Sequence, residues 1–112
     1  MKKRRLVFSD AAIADILEQA DWYLAQAGRR LAGRWEEAVR SAILQVVLRP
    51  ATGSLCRFRM ETLRDTRQAN IAGFPKHLLF YRFDDDEVFV LRIVHGARDL
   101  ERLFSQSADH PT

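Results

Sequence analysis

Apolar residues recur every three or four positions up to about residue 47 and every second position beyond residue 77, so the chain passes from helical to strand periodicity past its midpoint. Ahead of the first helix, Arg5 to Phe8 is a short apolar run that predicts an edge strand. Ser9 stands where a helix N-cap belongs, with Asp10 and Asp15 in the early turns, and Phe8 and Ile13 hold the two positions of a hydrophobic staple. The stripe Ile13, Ile16, Leu17, Ala20, Tyr23, Leu24 and Ala27 predicts the buried face, and Gly28 predicts a left-handed C-cap. A second helix starts near Arg30 on the stripe Leu31, Trp35, Ala38, Val39, Ala42, Ile43, Val46 and Val47; Pro50 stops it and Gly53 marks a turn. With only a couple of residues between them, the helices must fold back as an antiparallel hairpin.

In the second half, Leu63 to Ile71 is polar and weakly patterned and reads as a strand. Ala72 to Pro75 is a turn. His77 to Phe83 is apolar or aromatic on both alternating faces, which marks an interior strand, and Asp84 to Asp86 is a hairpin loop. Glu87 to His95 is the last strand, with Phe89, Leu91 and Ile93 on one face and Val88, Val90, Arg92 and Val94 on the other. A short helix over Asp99 to Ser105 closes the chain, and 106–112 reads as a flexible tail. The order β-α-α-β-β-β-α predicts one α+β domain over residues 1–112, with its core over about 5–105 and an antiparallel sheet packed against a two-helix hairpin. Two long helices cover only one sheet face, so the row Val88, Val90 and Val94 is expected to stay open as a partner site.

Composition narrows the class. At 112 residues, 47% apolar and 29% charged, the chain suits one globular domain rather than a disordered one. Lys and Arg number 18 against 15 Asp and Glu, an excess that favours an acidic partner without naming it. Cys56 is the single cysteine, so no internal disulfide forms, which fits a reducing cytoplasm. Only Leu6, Val7 and Phe8 follow the basic start, too few for a signal peptide, and no apolar run reaches membrane-spanning length. The acidic run Asp84 to Glu87 lacks calcium-loop spacing, no His–Cys cluster suggests zinc, and no cofactor is expected.

The densest chemistry lies in "RIVHGARDL", Arg92 to Leu100. Gly96 can supply a backbone angle closed to other residues, and Asp99 can cap the closing helix. His95 and Arg98 fit either a hinge or a functional site. Trp22 lies off the main stripe of the first helix, either as a partner's anchor or as cover for the helix edge.

With "FSDAAIADI", the two-helix hairpin followed by "RPATG", "GFPKHLLFYRF" and above all "VLRIVHGARDLERL", residues 6 to 104 resemble the ParE toxins of the RelE/ParE superfamily, the toxin half of bacterial type II toxin–antitoxin pairs. The resemblance implies a growth-arresting toxin without hydrolytic chemistry. Its target would be DNA gyrase, contacted through His95, Arg98 and Asp99. Its partner would be a ParD-like antitoxin whose acidic C-terminal segment folds onto Trp22, Arg82, Val88, Val90, Arg92 and Val94. Neither membrane binding nor sequence-specific DNA binding by the toxin alone is implied. The alternative within the superfamily is RelE-like cleavage of ribosome-bound mRNA. That chemistry needs cations around the scissile phosphate and an acid–base pair, for which Arg82, Arg92, His95 and Arg98 are the candidates. Against it, no tyrosine follows residue 81, and "FPKHLL" lacks the arginine that RelE-like chains usually place before this apolar run.

Overall fold

The computed structural model describes residues 4–96. Strand β1 (Arg5–Phe8) leads into helices α1 (Asp10–Ala27) and α2 (Arg29–Leu48), followed by strands β2 (Ser54–Leu55), β3 (Arg67–Asn70), β4 (His77–Phe83) and β5 (Glu87–His95). The sheet order is β1-β5-β4-β3-β2, and the fold is α+β. Strands β2 to β5 pair antiparallel in succession, but β1 pairs parallel with β5, so the sheet is mixed rather than wholly antiparallel as expected. The predicted closing helix at Asp99–Ser105 and the tail 106–112 lie outside the described residues.

The first three elements follow their sequence signals closely. The Ser9 hydroxyl accepts the Ala12 N–H at 2.9 Å, a side-chain cap at the expected residue. Gly28 is the entire link between the helices. Its φ of 88° is in the range that favours glycine, although its ψ of −177° makes it an extended link rather than a left-handed cap. On α2, Trp35, Val39, Ala42, Ile43 and Val46 are buried as the stripe predicts. The face of α1 is turned from its prediction: Ala12 and Ala20 are buried with Ile16 and Tyr23 partly so, whereas Ile13, Leu17 and Leu24 are exposed. The staple expected of Phe8 and Ile13 therefore leaves Ile13 open.

Three corrections concern the sheet. The polar stretch at 63–71 contributes a strand only over Arg67–Asn70, because Glu61–Leu63 winds into a single 3-10 turn before it. The two-residue strand Ser54–Leu55 gave no periodic signal. The third correction is the valine row. Phe80 pairs with Arg92 but Tyr81 pairs with Val90, so Leu91 is an extra residue that resets the alternation of β5. Val88, Val90 and Ile93 consequently share the core under the helices. Val94 instead joins a second cluster with Phe80 and Leu63, packed against Cys56, Phe58, Met60, Leu78 and Leu91. The segment between β2 and β3 supplies that cover, so Val88, Val90 and Val94 are all buried and the expected open row does not exist. An aspartate at 90 would bury an unpaired carboxylate and test folding rather than binding.

Tyr81, fully buried in β4, ties the end of α2 to the sheet. Its hydroxyl donates to the Pro50 carbonyl at 2.6 Å and accepts the Gly53 N–H at 3.0 Å. A Cβ at Gly53 would fall on that hydroxyl, so close approach, not backbone angle, requires the glycine there. Burial raises the Tyr81 phenol above its usual value, against the lowering influence of the Gly53 bond and the Arg67 charge. The folded phenol thus holds its proton longer than the unfolded one. Its contribution is complete below about pH 10 and is lost as pH rises through the higher folded value.

Two expectations follow from this packing. Trp35→Ala should cost about 3–5 kcal/mol, the range for truncating a buried large aromatic, read as a lowered urea midpoint. Tyr81→Phe should be less stable than the parent at neutral pH, with the difference narrowing above about pH 10; parallel stability curves up to pH 11 would refute the role given to the hydroxyl.

Candidate functional site

Among the described residues, no strand lies beside the outer edge of β5 beyond Val90, because β1 ends at Phe8, opposite Val90. Side chains of α1 take over its backbone groups. The Ser9 hydroxyl, already the helix cap, donates to the Leu91 carbonyl at 2.6 Å. The Asp15 carboxylate accepts the Ile93 N–H at 3.0 Å and both Nε and Nη2 of Arg92 at 2.8 Å. The side chains of this pair are only 12% and 9% exposed, so the two charges are almost wholly removed from water. A bidentate fork and one backbone donor compensate the desolvation on the carboxylate side.

Farther along, the same helix and the ends of β4 and β5 enclose a cleft of about 600 Å³. Asp15, Glu18, Gln19, Trp22 and Tyr23 form its helical wall, and His77, Ile93, Val94 and His95 form its sheet wall. His77 and His95 are opposite each other across the strands, with ring centroids 5.8 Å apart. Behind them the His77 ring stacks 4.8 Å from buried Trp35 and 6.5 Å from Tyr23. Burial raises the Tyr23 phenol, and its bond with Gln19 partly offsets this. Trp22 stands edge-on to Tyr23 and is 56% exposed. Among the described residues, no group of three or more His, Cys, Asp or Glu is placed to hold a metal ion.

The predicted site residues are therefore divided among separate places. His95 and Trp22 line the cleft, and Arg92 stands behind it, held by Asp15. Arg82 is elsewhere: it donates to the Thr62 carbonyl at 3.1 Å and lies over the Phe89 ring. Arg82 and Arg92 do not converge, because one reaches the Thr62 carbonyl in the segment beneath the sheet and the other reaches Asp15 on α1. Arg98 and Asp99 lie outside the described residues. Gly96 lacks the positive φ that was expected of it. Its N–H donates to the Lys76 carbonyl at 2.8 Å, and a Cβ there would crowd the end of the Leu78 side chain. Sequence reasoning missed Asp15, which it read as a helix-dipole residue. The signal was an acid one turn from Ala12 and Gln19, on the flank that faces β5.

Residues 6–100 match the family described as the ParE toxin of type II toxin–antitoxin system, parDE. Among solved structures, the fold is similar to a chain of the chromosomal ParDE toxin–antitoxin system from P. aeruginosa (TM-score 0.69, 16% identity, covering 85% of this chain and 98% of that one). It is also similar to a chain of the E. coli DinJ–YafQ toxin–antitoxin complex (TM-score 0.52, 14% identity, covering 85% and 94%). No curated protein matches the chain by sequence.

The buried pair yields a stability expectation. Asp15→Ala leaves the Arg92 guanidinium buried without its carboxylate and should cost about 3–5 kcal/mol. A urea midpoint equal to the parent's would show that the pair is solvated in solution.

Proposed function

Because the chain belongs to the ParE toxin family of type II toxin–antitoxin systems, we propose that it is a toxin that inhibits DNA gyrase and is neutralised by a ParD-like antitoxin. The observation that carries gyrase over RNA cleavage is the engagement of Arg92. Stabilising a cleaving phosphodiester requires cations converging on one phosphate. Here the fork of Arg92 is bonded to Asp15, Arg82 is bonded to the Thr62 carbonyl, and His95 opens onto a cleft walled by Asp15 and Glu18. Carboxylates at that wall oppose an approaching phosphate. The likeness to the YafQ complex, at 14% identity, concerns the fold alone.

For the target we assign His95 together with Arg98 and Asp99. For the antitoxin we assign the outer stripe of α1 in place of the buried valines. Ile13, Leu17 and Leu24 share an arc of roughly 40°, are exposed, and match what an amphipathic segment buries when it folds onto a partner. The antitoxin's acids then meet a chain of formal net charge +3.

Purified chain added to a gyrase supercoiling assay should block supercoiling and accumulate cleaved DNA, while ribosome-bound mRNA remains intact; mRNA cleavage with unaffected supercoiling would reverse the assignment. Arg98→Ala should stay folded, since a surface ion pair is worth only about 0–1 kcal/mol, and should lose most growth inhibition in cells. A folded variant that stays fully toxic removes Arg98 from the target surface. Leu17→Asp, at an exposed position, should leave the melting midpoint unchanged and weaken capture of the antitoxin at least about tenfold, the scale of losing one anchoring side chain; undiminished capture would put the antitoxin on another face.

A further inference from the structure

At the turn of the helical hairpin, α2 opens on "RRLAGR", Arg29 to Arg34. Trp35 stacks 5.1 Å from Phe74 and 4.8 Å from His77, so the first turns of α2 lie beside the turn that carries Lys76. Arg29, Arg30, Arg34 and Lys76 are all exposed. Among the described residues, none of these four side chains has a hydrogen bond or an ion pair. Arg40, by contrast, is held by Glu37, and Arg92 by Asp15. We propose that this end of the molecule grips the phosphate backbone of duplex DNA without reading its sequence. On the gyrase reading above, on which this rests, the DNA is the duplex that gyrase holds.

Two features here cost stability and return nothing within the described residues. Cations are disfavoured at the start of a helix, where the backbone dipole is positive, yet the first turn of α2 carries two arginines, no acid and no side-chain cap. Gly33 stands in the helix interior, where only proline is a poorer helix former. Its φ is not positive and a Cβ there would meet nothing within 4 Å, so neither backbone angle nor packing asks for glycine. Arg29 and Arg30 lie one turn before it on the same exposed face, and Glu37, one turn after it, is taken up by Arg40. Guanidinium forks around bare backbone suit an anionic ligand whose own backbone comes close. Arg30 and Arg34, one turn apart, have the spacing of about 6 Å that such pairs show, the scale of the step between neighbouring phosphates of one strand. A stable protein interface buries an apolar centre, and on α2 the exposed large apolar side chains begin only at Leu44. Phosphates need no such anchor, and arginine binds them bidentately.

Fluorescence anisotropy of a labelled mixed-sequence duplex, titrated with the full chain at several salt concentrations, reads the contact directly. Arg30→Glu combined with Arg34→Glu should weaken binding at least about tenfold and flatten the salt dependence by about two phosphate contacts. Its melting midpoint should hold or rise, since both side chains are exposed and an acid at position 30 suits the start of a helix. Gly33→Ala should raise the melting midpoint and still weaken DNA binding, a combination that a purely structural glycine does not produce. A folded double variant that binds DNA as the parent does overturns the proposal, and so does a Gly33→Ala chain that gains stability at no cost in binding. Tighter binding to duplex RNA of the same sequence, or lost antitoxin capture with DNA binding intact, would give the surface to RNA or to the antitoxin and also overturns it. Capture of gyrase in the absence of DNA separates this surface from the gyrase reading. The double variant should still be captured but trap less cleaved DNA. A parent chain that gyrase does not capture removes gyrase as the target and leaves the DNA surface to the anisotropy result.

Discussion

Strand β5 outruns β1, and Asp15 supplies what the missing strand would have given. A strand edge enclosed by protein cannot leave its amides unpaired without a penalty of a few kcal/mol each. Ser9 and Asp15 meet that requirement from α1, and in doing so they set how the helix lies over the sheet. Once α1 is fixed at two points six residues apart, the face it turns inward is fixed as well. Ala12, Ile16 and Ala20 face the core because Asp15 must face β5, and Ile13, Leu17 and Leu24 are left outside. The exposed stripe that suits a partner is thus a consequence of the buried ion pair. Arg92 belongs to the same arrangement. Without its guanidinium, the carboxylate would be a buried charge held by one amide, which is costlier than either a pair or an apolar substitute.

On the other face of the sheet, the described residues close the surface with a loop segment rather than a helix. Leu63 and its neighbours Cys56, Phe58 and Met60 fold under β4 and β5, covering Phe80 and Val94. Phe58 and Phe80 approach with ring centroids 6.2 Å apart. The loop can hold this position because its ends are tied: Cys56 N–H donates to the Thr66 carbonyl at 2.8 Å, and Arg67 reaches back to the Gly53 carbonyl at 2.7 Å. Apolar area that might have been an interface is thereby part of the core. Exposed apolar side chains remain on α1, at Ile13, Leu17, Trp22 and Leu24.

Much of the fold was legible because the signals were local and mutually consistent. Period-2 patterning, an acidic loop and a glycine–proline turn fixed β4 and β5 to the residue, and Ser9, Gly28 and Pro50 bounded the helices. What escaped was long-range. The alternation of β5 was read as unbroken, and one extra residue at Leu91 puts Val88 and Val90 on the helix side together with Ile93, leaving Val94 on the other face. Neither residue type nor spacing marks that bulge, which lies where Ser9 and Asp15 bond to the backbone of β5. Phe58, Met60 and Leu63 fit neither period, so the cover they supply under the sheet gave no signal, and Leu63 was read only as the start of a strand. Of the candidate site, His95 and Trp22 were recognised and found on one cleft, while Arg82 and Arg92 were grouped by strand position and prove to serve different contacts.

That last error bears on function. Arginines on adjacent strands look alike in sequence whether they await a phosphate or hold a helix. The difference is the partner, and for Arg92 the partner is an acid 77 residues away. A fold does not fix what such a residue does; here the bridge between α1 and β5 is made by Arg92 and Asp15. With the strand arginine bonded to Asp15, the cleft beside it is lined by Glu18, Gln19, two aromatic side chains and two histidines. Such a surface suits protein contacts, through Trp22 and the carboxylate of Glu18, better than it suits the backbone of a nucleic acid.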